Sequence, residues 1–405
     1  MAGGAIVRPP EAHELEAFAD CLAAAFGVGL PAPQRARLLA ALEPGRALAC
    51  FDGADLVATA SSVAIELTLP GPVVSAATGV ADVAVLPSHR GRGLFSALLG
   101  RLLEVARGSG EALLVLDAAS APRYRRLGFG PASWSARYRL APGGLVLAAA
   151  EPARGGPRPL SATEALETLP AAFDAARRSI LGELARTRAW WEEELADLPG
   201  PDGAARRWVA WVEGGEVAGF LAYELAASPA GREALVEDLC VRSVAAAGGL
   251  WRVLAELDAP GGICLAQRPL DEPLRHALAD PRSLEVLAVR DATWLRVVDV
   301  AAAVPLRRYG AAGSLTFEVA DGRCGWNEGR WVLESDWEGR GHAERTGAPA
   351  QLALDVGALA SLLAGAASPA SLAAAGRVRE LAPGALTRAG RLFAAEAVPF
   401  ASSAP

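Results

Sequence analysis

The chain has 405 residues, of which 52% are hydrophobic and 21% charged, and it carries a formal net charge of −7. That length suits about two to four domains with ample core, and the acidic balance argues against a nucleic-acid-binding domain, which usually carries a basic face. All 39 basic residues are Arg, which fits a GC-rich coding sequence together with the surplus of Ala, Gly and Pro.

Ala5–Arg8 reads as a first strand closed by Pro9-Pro10, and Glu11–Phe26 as an amphipathic helix. A second helix is expected near Gln34–Leu42. Ala47–Phe51 and Leu56–Leu69 are strands joined across Asp52-Gly53-Ala54-Asp55, a hairpin signal. Val80–Val85 alternates, Pro87 stops it, and a basic glycine-rich turn leads into a helix. Apolar residues at 94, 95, 98, 99, 102 and 103 give that helix one buried face. Ala112–Leu116 is a fully apolar run suited to a central strand, and Trp134–Leu140 alternates as the last strand of a first domain.

Residues 141–161 read as a linker around Glu151–Pro159. A helical region with Trp190 and Trp191 follows, then a hairpin of Trp208–Glu213 and Val217–Leu225. Asp238-Leu239-Cys240-Val241 matches Asp82-Val83-Ala84-Val85, and Gly249-Leu250-Trp251 follows at the spacing of Gly93-Leu94-Phe95. Between them, the turn arginines have become Ser243–Gly248. Residues from about 160 to 300 therefore read as a second copy that has lost its turn chemistry. Beyond Ala301, Ser314–Val319, Arg323–Trp326 and Arg330–Glu334 read as strands, and Val356–Ala364 and Ser371–Arg379 as helices. This last part is α+β and ends in the tail Val398–Pro405.

Chemistry concentrates in the turn from His89 to Gly93. It offers backbone N–H groups, Arg90, Arg92 and the positive end of a helix, the elements of a pyrophosphate site. A Walker A loop needs Lys, which the chain lacks, and a dinucleotide fingerprint needs a third glycine where Leu94-Phe95-Ser96 stand. The five cysteines are scattered and never paired as C-x-x-C, and the four histidines are isolated, so no metal is expected. The N-terminus lacks a signal-peptide core, and no apolar run reaches the roughly 18 residues of a membrane span. The expected location is cytoplasmic, with no membrane span and no nucleic-acid partner.

With Gly91-x-Gly93 in that turn and Tyr124-Arg125-Arg126-Leu127-Gly128-Phe129 downstream, the first domain resembles the GNAT N-acetyltransferases. Ser88 stands where that family prefers Gln or Arg. The resemblance implies that Val83, Ala84 and Val85 pair with the pantetheine arm of acetyl-CoA. Arg90, Gly91, Arg92, Gly93, Leu94, Phe95 and Ser96 would hold the pyrophosphate, and Ala119 and Ser120 would flank the thioester. Tyr124 would point at the cofactor sulfur as general acid; a phenol titrates near 10 and stays protonated at neutral pH.

Two GNAT domains in tandem, the second without its motif, followed by a sterol-carrier-protein-like α+β domain, resemble the Eis (enhanced intracellular survival) family. Local matches include Gly249–Asp258, Trp294–Val300 and Leu372–Arg379. The implied division is 1–150 catalytic, 151–300 degenerate and 301–405 sterol-carrier-like. The family implies acetyl-CoA as donor, amines including aminoglycosides and lysines as acceptors, and a homohexamer. It also implies that the terminal carboxylate, here that of Pro405, serves as general base. The ending Ser-Ala-Pro departs from the family's aromatic terminus, and Phe26-Gly27-Val28 and Ser402–Pro405 carry no side-chain acid. Asp82 is the other candidate base, although strand alternation turns it away from the face of Val83 and Val85. His89, on the phosphate turn, reads better as a solvated or phosphate-contacting residue. The alternative of another class is a CoA-binding or assembly protein that keeps the scaffold without turnover.

Overall fold

The computed structural model describes residues 4–43, 45–148, 155–196 and 206–404. They form two compact units, one from residues up to 132 with 293–396 and 404, the other from 133–292 with 397–403.

The first unit begins with β1 (Ile6–Arg8), α1 (Leu15–Phe26), α2 (Ala32–Ala41), β2 (Ala47–Asp52), β3 (Asp55–Leu69) and β4 (Val73–Val85). Then come α3 (Leu94–Gly108), β5 (Leu113–Asp117) and α4 (Ala121–Arg125). The seven-stranded sheet runs β1-β2-β3-β4-β5, then Thr293–Val297, then Gly130–Pro131. β3 and β4 make the long hairpin that organises it. α3 covers one face, with Leu94, Leu98, Leu99, Leu102 and Leu103 each at most 5% exposed. Burying a leucine contributes about 1.5–3 kcal/mol, so this stripe fixes the helix and the turn before it.

Here the strands depart from the sequence reading. Trp134–Leu140 does not complete the first sheet; it lies in the second unit's sheet between Leu284–Asp291 and Ile263–Arg268. The first sheet instead takes Thr293–Val297, antiparallel to β5. An alternating pattern gives a strand its faces but not its neighbour, because pairing is decided by distant chain.

A second, five-stranded sheet in this unit orders Gly341–Arg345, Gly329–Ser335, Gly313–Ala320, Leu352–Asp355 and Val378–Glu380. Arg323–Trp326, expected as a strand, is a turn. Cys324 and Trp326 leave the sheet to pack into the core under α3, where the Trp326 indole N–H donates to the Val298 carbonyl at 2.8 Å. The expected helix Ser371–Arg379 is Pro369–Ala374; Gly376, at φ +71°, ends it, and Val378–Glu380 becomes the edge strand. Every residue of the helix Val356–Ala364 is buried. A Cβ on Gly130 would lie 2.0 Å from the Gly357 carbonyl, so glycine lets the helix backbone touch the first sheet there.

The second unit orders its strands as Leu284–Asp291, Trp134–Leu140, Ile263–Arg268, Gly231–Val241, Glu216–Ser228, Arg207–Glu213 and Gly156–Leu160. The presumed linker thus contains an edge strand, and its Pro157 and Pro159 sit where missing N–H groups cost least. The helix after Gly231–Val241 starts at Val244, five residues before Gly249. Gly249 therefore does not correspond to Gly93 at a helix entry. It lies mid-helix, where a Cβ would meet the Trp211 ring at 2.4 Å.

The tail returns to this second unit. Phe400 and Ala401 are buried, and the Phe400 N–H donates to the Leu181 carbonyl at 2.6 Å. The Ser402 N–H donates to both Glu183 carboxylate oxygens at 3.1 Å, and Arg186 donates to the Ser402 hydroxyl at 2.8 Å. Arg186 is itself paired with Asp238 at 2.6 Å and packed on the faces of Phe173 and Trp190.

Candidate active site

A parallel pair of strands diverges at the centre of the first sheet. β4 bonds to β5 only at Thr78–Leu114 and Gly79–Val115, although β4 continues to Val85 and β5 to Asp117. Beyond Gly79 the β5-facing side of β4 has no partner in the sheet. Extended backbone in a cleft must find hydrogen bonds elsewhere, from water or from a ligand with amides of its own.

The divergence begins at a bulge. Ala81 pairs with Ser61 and Ala84 with Thr59, which leaves Asp82 and Val83 opposite Ala60 alone. Asp82 takes φ +53°, the sole non-glycine positive φ among the described residues. The extra residue puts Val80, Val83 and Val85 together on the α3 core face. The Asp82 carboxylate accepts from the Ser61 hydroxyl at 2.5 Å, and its carbonyl from the Thr59 hydroxyl at 2.8 Å. Burial pushes the Asp82 pKa up, opposed by the Ser61 bond.

At the far end of β4, Gly91 and Gly93 take φ +80° and +82°. Left-handed backbone costs an L-residue about 1–2 kcal/mol, so glycine suits both. Gly93 precedes α3 and provides no side-chain cap. The first N–H groups of α3 thus face outward unsatisfied by the helix, with the dipole behind them.

Between these ends lies a cavity of about 420 Å³, within the range of ligand sites. Val83, Ala84, Val85, Arg90, Gly91, Gly93, Leu94, Phe95, Ser96, Ala119, Ser120 and Tyr124 all line it. Arg92 does not. It pairs with Asp52 at 3.3 Å, and His89 reaches the same carboxylate at 3.4 Å while lining the cavity. Arg90 folds back to donate to the Ala25 and Val85 carbonyls at 2.9 and 3.3 Å, tying the end of α1 to β4. Asp82 is not among the lining residues, and Pro405 lies outside the described residues.

Tyr124 sits on α4, 6% exposed. Phe95 and Phe129 pack edge-on against its ring at 5.2 and 5.6 Å. Burial and then the charge of Asp117 raise its pKa, and Arg123 opposes them. Sequence reasoning missed Arg123 and Arg126 as lining residues, although the run Arg123-Tyr-Arg-Arg126 signalled them. Ala25 and Phe26 complete the rim, and Phe26 is 60% exposed.

In the second unit the corresponding helix entry is closed. The Ser243 hydroxyl accepts from the Ala246 N–H at 2.9 Å and donates to Glu213 at 2.7 Å. A capped, carboxylate-flanked helix start repels an anion. Among the described residues no group of three or more His, Cys, Asp or Glu is placed to hold a metal, and no helix is long and apolar enough to cross a membrane.

Comparison with known proteins agrees with this layout. Acetyltransferase (GNAT) domain families match residues 6–132 and 182–297, and the sterol carrier protein domain matches 300–402. An uncharacterized N-acetyltransferase of Streptomyces coelicolor is 33% identical over 98% of this chain and 95% of its own. The N-acetyltransferase Eis of Mycobacterium tuberculosis is 32% identical, over 85% and 84%. The crystal structure of Eis1 from Mycobacterium abscessus superposes with a TM-score of 0.87 at 32% identity, covering 99% of this chain and all of that one. A GCN5-related N-acetyltransferase from Anabaena variabilis shares the fold, with a TM-score of 0.86 at 19% identity. These relatives favour an enzyme over a scaffold without turnover. The chain belongs to the Eis-like family of N-acetyltransferases, whose GNAT domains use acetyl-CoA.

Proposed function

We propose that the cleft of the first unit binds acetyl-CoA and that the enzyme acetylates a primary amine of aminoglycoside, polyamine-like or lysine type. One observation carries this reading. The unpaired stretch of β4, the uncapped start of α3 and the buried Tyr124 border a single cavity. Val83–Val85 would pair with the amide-bearing arm, and the N–H groups from Gly91 to Ser96 with the pyrophosphate. Ala119 and Ser120 would flank the thioester.

Acetyl-CoA supplies, when bound, an activated carbonyl at which the amine forms a C–N bond while the C–S bond breaks. Tyr124 holds a proton where thiolate charge develops. Its raised pKa keeps it protonated through neutral pH, as a proton donor to a leaving thiolate must be. The incoming ammonium must lose a proton, and the family resemblance gives that role to the Pro405 carboxylate. The seating of Phe400–Ser402 in the second unit supports a tail held in one place. A second reading assigns the proton to Asp82, favoured by its raised pKa at the β4 bulge. No carboxylate lines the cavity among the described residues, and Phe26 is presented at its rim. Among those acceptor types, this lining offers no counter-charge to a polycation.

The same reading keeps 1–150 as catalytic, 151–300 as degenerate and 301–405 as sterol-carrier-like, with the two sheet strands exchanged as described. It also keeps a homohexamer in the cytoplasm. The test is thiol release from acetyl-CoA with an amine panel. Tyr124→Phe should lower kcat about 100-fold or more with CoA affinity unchanged; normal turnover would remove Tyr124 from its role. Two residues added after Pro405 should cut turnover comparably. An extended enzyme of normal rate, with an inactive Asp82→Asn variant, would move the base to Asp82. Tight CoA binding with no thiol release from any amine would favour the non-catalytic alternative.

A further inference from the structure

A second cleft, of about 360 Å³, lies within the first unit where the end of α4 faces the five-stranded sheet. Arg125, Arg126, Arg323, Arg377, Asp321 and Asp355 line it. Both carboxylates are already engaged. Asp321 accepts from buried Arg296 at 2.7 and 2.8 Å, and Asp355 accepts from Arg377 at 2.7 and 2.5 Å. Asp355 also caps the helix Val356–Ala364 through the Ala358 N–H at 2.8 Å. Among the described residues, no carboxylate pairs with Arg125, Arg126 or Arg323.

Three guanidinium groups without a carboxylate partner therefore line one concavity, and a bound anion would relieve their mutual repulsion beyond what solvent screening does. The walls are stiff. A Cβ on Gly128 would come within 2.6 Å of Val356 and 2.9 Å of Arg296 Nε, so there is no slack behind the site. The Arg125 guanidinium lies 5.7 Å from the Trp294 ring, which restrains it. Guanidinium forks match the oxygens of a phosphate better than a point charge does. Arg126 lines both this cleft and the main cavity.

We infer that this second cleft is a binding site for a phosphate monoester, held by Arg125, Arg126 and Arg323. The phosphate has two possible sources of the same chemistry: the 3′-phosphate of CoA, reached past Arg126, or a separate phosphorylated small molecule. The second source does not depend on the acetyl-transfer reading.

Arg125→Glu and Arg323→Glu alter exposed side chains, and thermal melts would establish that both variants fold. Binding of inorganic phosphate is followed by phosphorus NMR, and CoA and 3′-dephospho-CoA are compared by calorimetry. Each reversal should weaken phosphate binding about tenfold or more. If CoA supplies the occupant, its affinity falls by a similar factor while that of dephospho-CoA holds. If a separate ligand does, phosphate affinity falls and CoA affinity holds. Folded variants that bind phosphate, CoA and dephospho-CoA as the wild type does would overturn the site. A wild type that binds no CoA at all would instead defeat the cofactor reading of the main cavity, leaving the phosphate titration to decide this one.

Discussion

Asp82 shows how one residue can be legible in type yet not in place. Its carboxylate was readable as a candidate base, but an alternating stretch carries no mark of an inserted residue. Aspartate tolerates left-handed backbone better than most residues, which is a weak hint only in retrospect. The bulge changes its partners, to Ser61 and Thr59, and its acidity. Because burial raises its folded pKa, the folded state holds the proton more tightly than the unfolded state does. Wild-type stability therefore falls as pH rises from the ordinary aspartate range through that raised value. Asp82→Asn can still accept from Ser61 and tolerate φ +53°. It should match the wild type in acid and melt higher near pH 7; equal melting temperatures at both pH values would show that Asp82 is not held at a cost. Arg92 teaches the complementary lesson. Its motif position suggested a cofactor contact, but a motif cannot show Asp52 arriving from the end of β2 to pair with it.

At the scale of elements, strands and helices were mostly readable where periodicity ran long, as in β3, α3 and the helix Val356–Ala364. Short pieces were not. Arg323–Trp326 alternates because Cys324 and Trp326 serve a core outside their own sheet, a purpose that looks like a strand in sequence. The echo of Asp82–Val85 was readable at Asp238–Val241, but its helix entry was misplaced by five residues, because Gly249 is small to admit Trp211 rather than to turn the chain. The two helix starts invite a paired test. Gly93→Ala should cost about 1–2 kcal/mol from left-handed strain and weaken CoA binding. Ser243→Ala should cost about 1 kcal/mol as a lost cap and leave CoA affinity untouched. Calorimetry of both variants checks the pair, and equal effects on CoA would refute the division of labour between the copies.

At the scale of the molecule, three domains could be counted from the sequence, but not the joint between the first and the last. Within the first unit that joint is a fully buried ion pair. Arg296 donates twice to Asp321, once to the Leu127 carbonyl and once to the Val297 carbonyl, while Asn327 donates to Asp321 at 3.0 Å. Nothing in W-L-R-V-V-D-V sets Arg296 apart from the chain's many surface arginines. Asp321→Ala strands a buried cation and should destabilise the unit by about 3–5 kcal/mol, seen as a shift in the denaturation midpoint. Replacing both partners by apolar residues should recover part of that loss.

The exchanged strands bear on how the chain can be divided as well as on the fold. With Trp134–Leu140 in the second sheet and Thr293–Val297 in the first, neither half of the chain carries all the strands of its own sheet. A stop before residue 293 leaves β5 without its antiparallel neighbour, and deletion of the first 132 residues leaves Thr293–Val297 without a sheet to join. The crossing of these strands makes each sheet depend on chain from both halves of the sequence.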